Sequence, residues 1–126
     1  MYPQELRYNE WHEWIRVDGG VVTVGVSHYA QDQMGDLVYV EVPEVGRRVA
    51  AGEPFASIES VKAVQELNAP VSGVVVEANA ALSDVPETVN RDCYGEGWLV
   101  KIEIEDASEL ASLWDAERYE GFLKTL

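Results

Sequence analysis

Few side chains in this sequence have both the type and the setting for chemistry, and they reduce to one lysine. The single cysteine, Cys93, rules out an internal disulfide and a cysteine-rich zinc site. The two histidines, His12 and His28, are not spaced as a metal pair, and no HExxH-type pattern is present. "YGEGW" lacks the spacing and following helix of a phosphate cradle and reads as a turn. Lys62 stands apart because of its surroundings. In "ASIESVKAVQELNAP", residues 56–70, the apolar positions mirror one another about the midpoint between Lys62 and Ala63. A two-residue hairpin centred there sets Ile58 opposite Leu67, Ala56 opposite Ala69 and Pro54 opposite Val71 on one face. The other face carries Val61 opposite Val64, Ser57 opposite Asn68 and Glu59 opposite Glu66. That register breaks two local rules, because directly opposed like charges destabilise and Lys-Ala is not a favoured two-residue turn. Such departures gather at functional sites. An exposed tip offers no pocket to lower an amine's pKa, so Lys62 is a poor base, whereas acylation requires only access. The plainer reading is a surface lysine in a turn.

The elements that must hold this lysine are short and β-rich. At 126 residues the chain suits one domain, residues 1–126, large enough for a core without staples. Strand patterns occur at "EWIRV" (13–17), "VVTVGV" (21–26), "LVYVEV" (37–42), "GVVVEAN" (73–79) and "WLVKIEI" (98–104), the spacing of a sandwich or partly open barrel. "SHYAQDQMGD" interrupts with a short helix near 27–34, with Ser27 as its cap and Gly35 as its stop. From Asp106 the apolar period changes from two to nearly four. Leu110, Leu113 and Trp114, then Tyr119, Phe122 and Leu123, predict two C-terminal helices, the second capped by Asp115, as a helical extension over 106–126.

Charge and composition exclude several partners. A formal net charge of −14 argues against nucleic acid and for a neutral or basic protein partner. No run is long and apolar enough for a membrane span, and "MYPQELRYNEW" lacks the basic end and apolar block of a signal peptide, giving the expectation of a bacterial cytoplasmic chain, with a processed mitochondrial chain as the less favoured alternative. With one cysteine and unpaired histidines, any redox chemistry must come from an attached group.

The wider motifs sharpen this. "ESVKAV", with "PVSG" eight residues beyond the lysine, resembles the attachment hairpin of the glycine cleavage system H proteins, a lipoyl carrier family. The likeness extends through "HEW" (12–14), "VGVSHYAQDQMGDLVYVEVPEVG" (24–46) and "YGEGWLVKI" (94–102), nearly the whole chain. The resemblance implies a mainly β, lipoyl/biotinyl-like sandwich or flattened barrel, and a monomeric bacterial carrier rather than an enzyme. It implies lipoate in amide linkage on Lys62, with Glu59, Glu66 and Gly46 read by the lipoate-attaching enzyme and Glu13 in the cleft where the loaded arm rests. It implies three further partners: a pyridoxal-phosphate glycine decarboxylase, a tetrahydrofolate-dependent aminomethyltransferase and a flavin-dependent dihydrolipoyl dehydrogenase. From its own residues, Glu13 reads equally as a strand-edge surface acid. Trp11 departs from the small polar residue frequent in the family before "HEW". Alternatives for the whole chain are a biotinyl carrier, which normally has methionines flanking its lysine where Val61 and Ala63 stand, and an unmodified interaction or lipoate-relay module.

Overall fold

Alternating apolar residues form strands because one side of each can be buried while the other stays solvated. The computed structural model describes residues 1–126. In chain order the elements are β1 (Arg7–Tyr8), β2 (Glu13–Asp18), β3 (Val21–Val26), α1 (His28–Met34), β4 (Leu37–Glu41), β5 (Arg48–Val49), β6 (Pro54–Ser60), β7 (Val64–Asn68), β8 (Gly73–Ala78), α2 (Thr88–Arg91), β9 (Val100–Ile104) and α3 (Ala116–Leu123). They make a six-stranded sheet, β1-β2-β3-β9-β8-β5, and a three-stranded sheet, β4-β6-β7, with all neighbouring strands antiparallel. The sheets do not close into a barrel, so the expected mainly β sandwich is an open one. Ile15, Val22, Val24, Val75 and Ile102 of the larger sheet bury against a common core with Val40, Ile58 and Leu67 of the smaller. No helix is long and apolar enough to cross a membrane.

The local signals at α1 are realised atom by atom. Ser27 Oγ accepts from the Ala30 amide, and the Gly35 amide donates to the Gln31 carbonyl at a φ of 78°, a backbone conformation that favours glycine. The first C-terminal helix takes another form: residues Ala107–Ser112 make a 3-10 segment. Leu113 then turns extended, and Trp114 exchanges two 2.8 Å backbone hydrogen bonds with Tyr8. Those bonds draw Trp114 out of the helical stripe to which its spacing assigned it. The second helix, α3, forms as expected, with Asp115 accepting from the Arg118 amide.

These ends of the chain make a second, smaller core from Leu6, Tyr8, Trp14, Ala116 and Tyr119. Tyr119 stacks on Tyr8 with ring centroids 4.8 Å apart, and its hydroxyl lies 2.8 Å from His12 Nδ1 and 2.7 Å from Ser27 Oγ. One phenol thus ties α3 to the cap of α1 and to His12, which is held at a φ of 63°, unusual for a side-chain-bearing residue. Burial moves His12 below its ordinary pKa and holds it toward the neutral imidazole. Tyr119→Phe removes a hydroxyl that meets two half-buried or buried partners. Its unfolding free energy is expected to fall by roughly 1–3 kcal/mol in urea titrations, and an unchanged midpoint would mean that the network contributes nothing.

Candidate functional site

The hairpin that carries Lys62 exists, with its register two residues from the one the mirrored apolar positions suggest. Ser60 donates its amide to Ala63 O at 2.8 Å, so the two-residue loop is Val61-Lys62, one residue nearer the N-terminus. The pairs that follow are Glu59–Val64, Ile58–Gln65, Ser57–Glu66 and Ala56–Leu67. A slip of two residues preserves faces, so Ile58, Ala56 and Leu67 still point into the core while Glu59, Glu66 and Val64 point outward. What changes is the partner of each charge. Glu59 and Glu66 sit in adjacent cross-strand rows, a diagonal separation of roughly 7–8 Å between backbones, instead of face to face. The like-charge penalty inferred from the mirrored register is therefore absent. The expected pair Ala56–Ala69 fails by the same slip, and an irregularity between Pro54 and Ala56 sets Pro54 opposite Asn68 instead of Val71.

Lys62 is exposed in the two-residue loop, and it makes no ion pair. Its stem runs past the end of α1: Cε and Nζ lie 3.7 and 3.9 Å from where a Cβ on Gly35 would sit. Met34, Gly35, Asp36, Ser60, Val61 and Lys62 line a shallow groove there. The far wall of that groove is fastened by Asn90 of α2. Its Oδ1 accepts from the Leu37 amide at 2.9 Å, and its Nδ2 donates to Gly35 O at 2.9 Å and Gln31 Oε1 at 3.1 Å. Sequence reading passed over Asn90, and no pattern around it marks a residue whose partners lie more than fifty positions away.

Gly46 occupies a tight turn at a φ of 97°, its amide donating to Val75 O at 2.7 Å. The flanking Glu44 and Arg47 line a groove of ≈ 610 Å³ that Glu66, Ser57 and Glu41 also line. Residues beside Gly46, though not Gly46 itself, thus share a groove with Glu66, and Glu59 lies on the same outer sheet face as Glu66. Glu13 lies apart on the six-stranded sheet, and it is no surface acid: its side chain is fully buried in β2 opposite Val26. Asn9 Nδ2 donates to Glu13 Oε1 at 2.9 Å, while Asn9 Oδ1 accepts from the amides of Trp11 and Glu13. Glu13 Oε2 is buried with no partner. Burial, opposed by the Asn9 hydrogen bond and aided by Glu10, raises this carboxyl to a pKa of about 8. A ≈ 270 Å³ cleft beside Asn9 is lined by Trp11, Gly52, Pro70 and Leu113.

The remaining candidates for chemistry are structural. Cys93 is buried, its thiol is pushed up to about 11 by desolvation, and its carbonyl accepts from Trp14 Nε1 at 2.8 Å. No group of three or more His, Cys, Asp and Glu side chains is placed to hold a metal.

Against known proteins, residues 6–126 match the family model described as glycine cleavage H-protein. The chain is 54% identical over 117 residues to the glycine cleavage system H protein of Bacillus cytotoxicus, covering 93% of this chain and 92% of that one. It is 52% identical over 121 residues to the protein of the same name from Geobacillus kaustophilus, covering 96% and 95%. The crystal structure of a glycine cleavage system H protein from Mycobacterium marinum superposes with a TM-score of 0.86 at 39% identity, covering 97% and 98%.

The buried Glu13 has a pH signature. Because its folded pKa is raised, from about 4.5 to about 8, the folded state keeps a proton that the unfolded state has lost across that window. Stability contributed by neutral Glu13 is full below about pH 4.5 and declines until the pH has passed about 8. Urea titrations should show Glu13→Gln gaining on the wild type as pH rises through this range, by on the order of a few kcal/mol. Parallel stability curves would place Glu13 in a hydrated setting.

Proposed function

The chain belongs to the glycine cleavage H-protein family, whose members are carrier components rather than catalysts, and from that premise we propose that Lys62 is its lipoyl attachment site. The observation that carries this is the lysine's isolation. It is the only basic residue between Arg48 and Arg91, set at the exposed loop of the hairpin that carries "ESVKAV". Its free ammonium, on a stem lying beside Gly35, fits acylation: Nζ loses a proton, bonds to an activated lipoyl carbonyl, and the activating group leaves with the electron pair.

Lipoate held on Lys62 would supply a disulfide able to accept the aminomethyl group left when glycine loses carbon dioxide, and the partners this reading implies are a pyridoxal-phosphate glycine decarboxylase, a tetrahydrofolate-dependent aminomethyltransferase and a flavin-dependent dihydrolipoyl dehydrogenase. The protein's own residues provide presentation and shelter. Ser60 and Ala63 close the loop that presents Nζ. Glu59 and Glu66 on the outer face, with the Gly46 turn at the groove beyond, form the mark for the lipoate-attaching enzyme. Glu13 is the acceptor for a cationic amine on the loaded arm. Asn9 already holds Oε1, leaving Oε2 to receive an N–H, and an ammonium arriving there favours the carboxylate, so the proton departs from Glu13. Trp11 lines the adjoining cleft and adds apolar area that limits water. The charge of −14 assists docking to basic partner surfaces. Bacterial relatives support a bacterial setting, and a cytoplasmic, monomeric carrier is part of the same proposal.

Intact mass after expression with lipoate should show one added lipoyl group, mapped by peptide digestion to Lys62 and lost in Lys62→Arg. A biotinyl mass would support the rival carrier, and an unmodified chain in cells supplied with lipoate would support an interaction module.

A further inference from the structure

The three-stranded sheet has one face in the core and one in solvent, and the solvent face has an order that no single strand reveals. An irregularity between Leu37 and Tyr39 inserts Val38 as an extra residue in β4, so Leu37 and Val40 both turn inward while Tyr39 and Glu41 both turn outward. Reading across β4, β6 and β7, Tyr39–Glu59–Val64 make one row and Glu41–Ser57–Glu66 the next. Val61 continues the first side of this patch onto the loop that bears Lys62. Val61 is 90%, Val64 66% and Tyr39 48% exposed, large values for apolar side chains that have chosen no partner within the molecule.

The charge on this face is of one sign. The strands β4, β6 and β7 contain Glu41, Glu59 and Glu66 and no basic residue at all. None of the three carboxylates takes part in any of the molecule's ion pairs, which join Arg47 to Glu53, Arg48 to Glu105 and Lys101 to Glu77. Arg47, the one cation at the edge of the neighbouring groove, is already held by Glu53 and the Pro54 carbonyl. An apolar strip flanked by unpaired carboxylates fits a protein surface with an apolar centre and arginine or lysine around it.

Position selects among partners. An enzyme that works at the far end of a lipoyl arm can stand away from the sheet, whereas the one that acylates Nζ must reach the loop itself. It therefore covers the strand residues nearest that loop. Resting on the reading that Lys62 is the acylated amine, we propose that the whole outer face of β4-β6-β7 is the docking surface for the lipoate-attaching enzyme. Tyr39 and Glu41 of β4 then belong to the mark alongside Glu59 and Glu66, and the enzyme meets them with a cationic rim around an apolar patch.

The test is steady-state acylation of the unlipoylated protein by a lipoate-protein ligase with lipoate and ATP, followed by intact mass as protein concentration varies. Glu41→Lys, the milder Glu41→Gln, and Tyr39→Ser are compared with Glu103→Lys, an equal charge change on the exposed side of β9. Glu41→Lys is expected to raise KM at least tenfold with kcat within about twofold, to lose much of the wild type's weakening by salt, and to keep its melting temperature. Glu41→Gln and Tyr39→Ser should raise KM by smaller factors, and Glu103→Lys should leave it within about twofold. The proposal is overturned if the β4 variants match the wild type, or if they slow only the glycine-cleaving partners. It is also overturned if the wild type is a dimer whose dissociation follows these substitutions while KM stays fixed. A wild type that accepts no lipoyl group at all fails at Lys62 itself, which separates that failure from an error about the docking face.

Discussion

The hydrogen bond from the Ser60 amide to the Ala63 carbonyl governs the functional end of this molecule. It closes the loop on two residues, leaves Lys62 outermost, and fixes every pairing from there down to Ala56–Leu67. Because strand side chains alternate, that single closure also decides which residues face the core and which face partners. The same register carries through β6 to β4, so the identities of the residues beside the lysine on three strands follow from one turn.

Support for that turn comes from well away in sequence. α1 ends at Gly35 against the lysine stem, Asn90 secures Gly35 and Leu37, and Ser27 at the other end of α1 meets Tyr119 of α3. The C-terminal helix is therefore connected, through buried polar groups, to the platform beside the loop that carries Lys62. Glu13 is the second demanding feature. A carboxyl held at full burial with one oxygen unsatisfied costs stability, and no group of the fold uses that oxygen.

Much of this was legible in the sequence where the signal is local. Alternation located the strands, Ser27 and Gly35 bounded α1, and Asp115 marked the start of α3. The apolar symmetry about Lys62 found the hairpin and its faces but misplaced its centre, since a two-residue shift leaves the inward and outward sets unchanged and pattern alone cannot distinguish the two registers. The helical spacing of Leu110, Leu113 and Trp114 was overridden by the pairing of Trp114 with Tyr8, more than a hundred residues away. Glu13 reads equally as a cleft residue and as a strand-edge surface acid, because nothing near it in sequence reports the packing above it, and Asn9, its holder, is recognisable only once β2 and the preceding loop are folded. Tyr39 and Glu41 share a face by alternation alone, and what the extra residue at Val38 adds is to bring Leu37 to the inward side with Val40.

The central claim is the hairpin register, and solution NMR tests it most directly. Since Ser60–Ala63 is a hydrogen-bonded pair, Glu59–Val64 and Ser57–Glu66 are the close, non-hydrogen-bonded pairs of an antiparallel ladder, with α-carbons about 4.5 Å apart. Strong Hα–Hα Overhauser contacts are expected between Glu59 and Val64 and between Ser57 and Glu66. Strong contacts instead between the α-protons of Ser60 and Gln65 and of Ile58 and Leu67 would contradict the account and recentre the loop on Lys62 and Ala63.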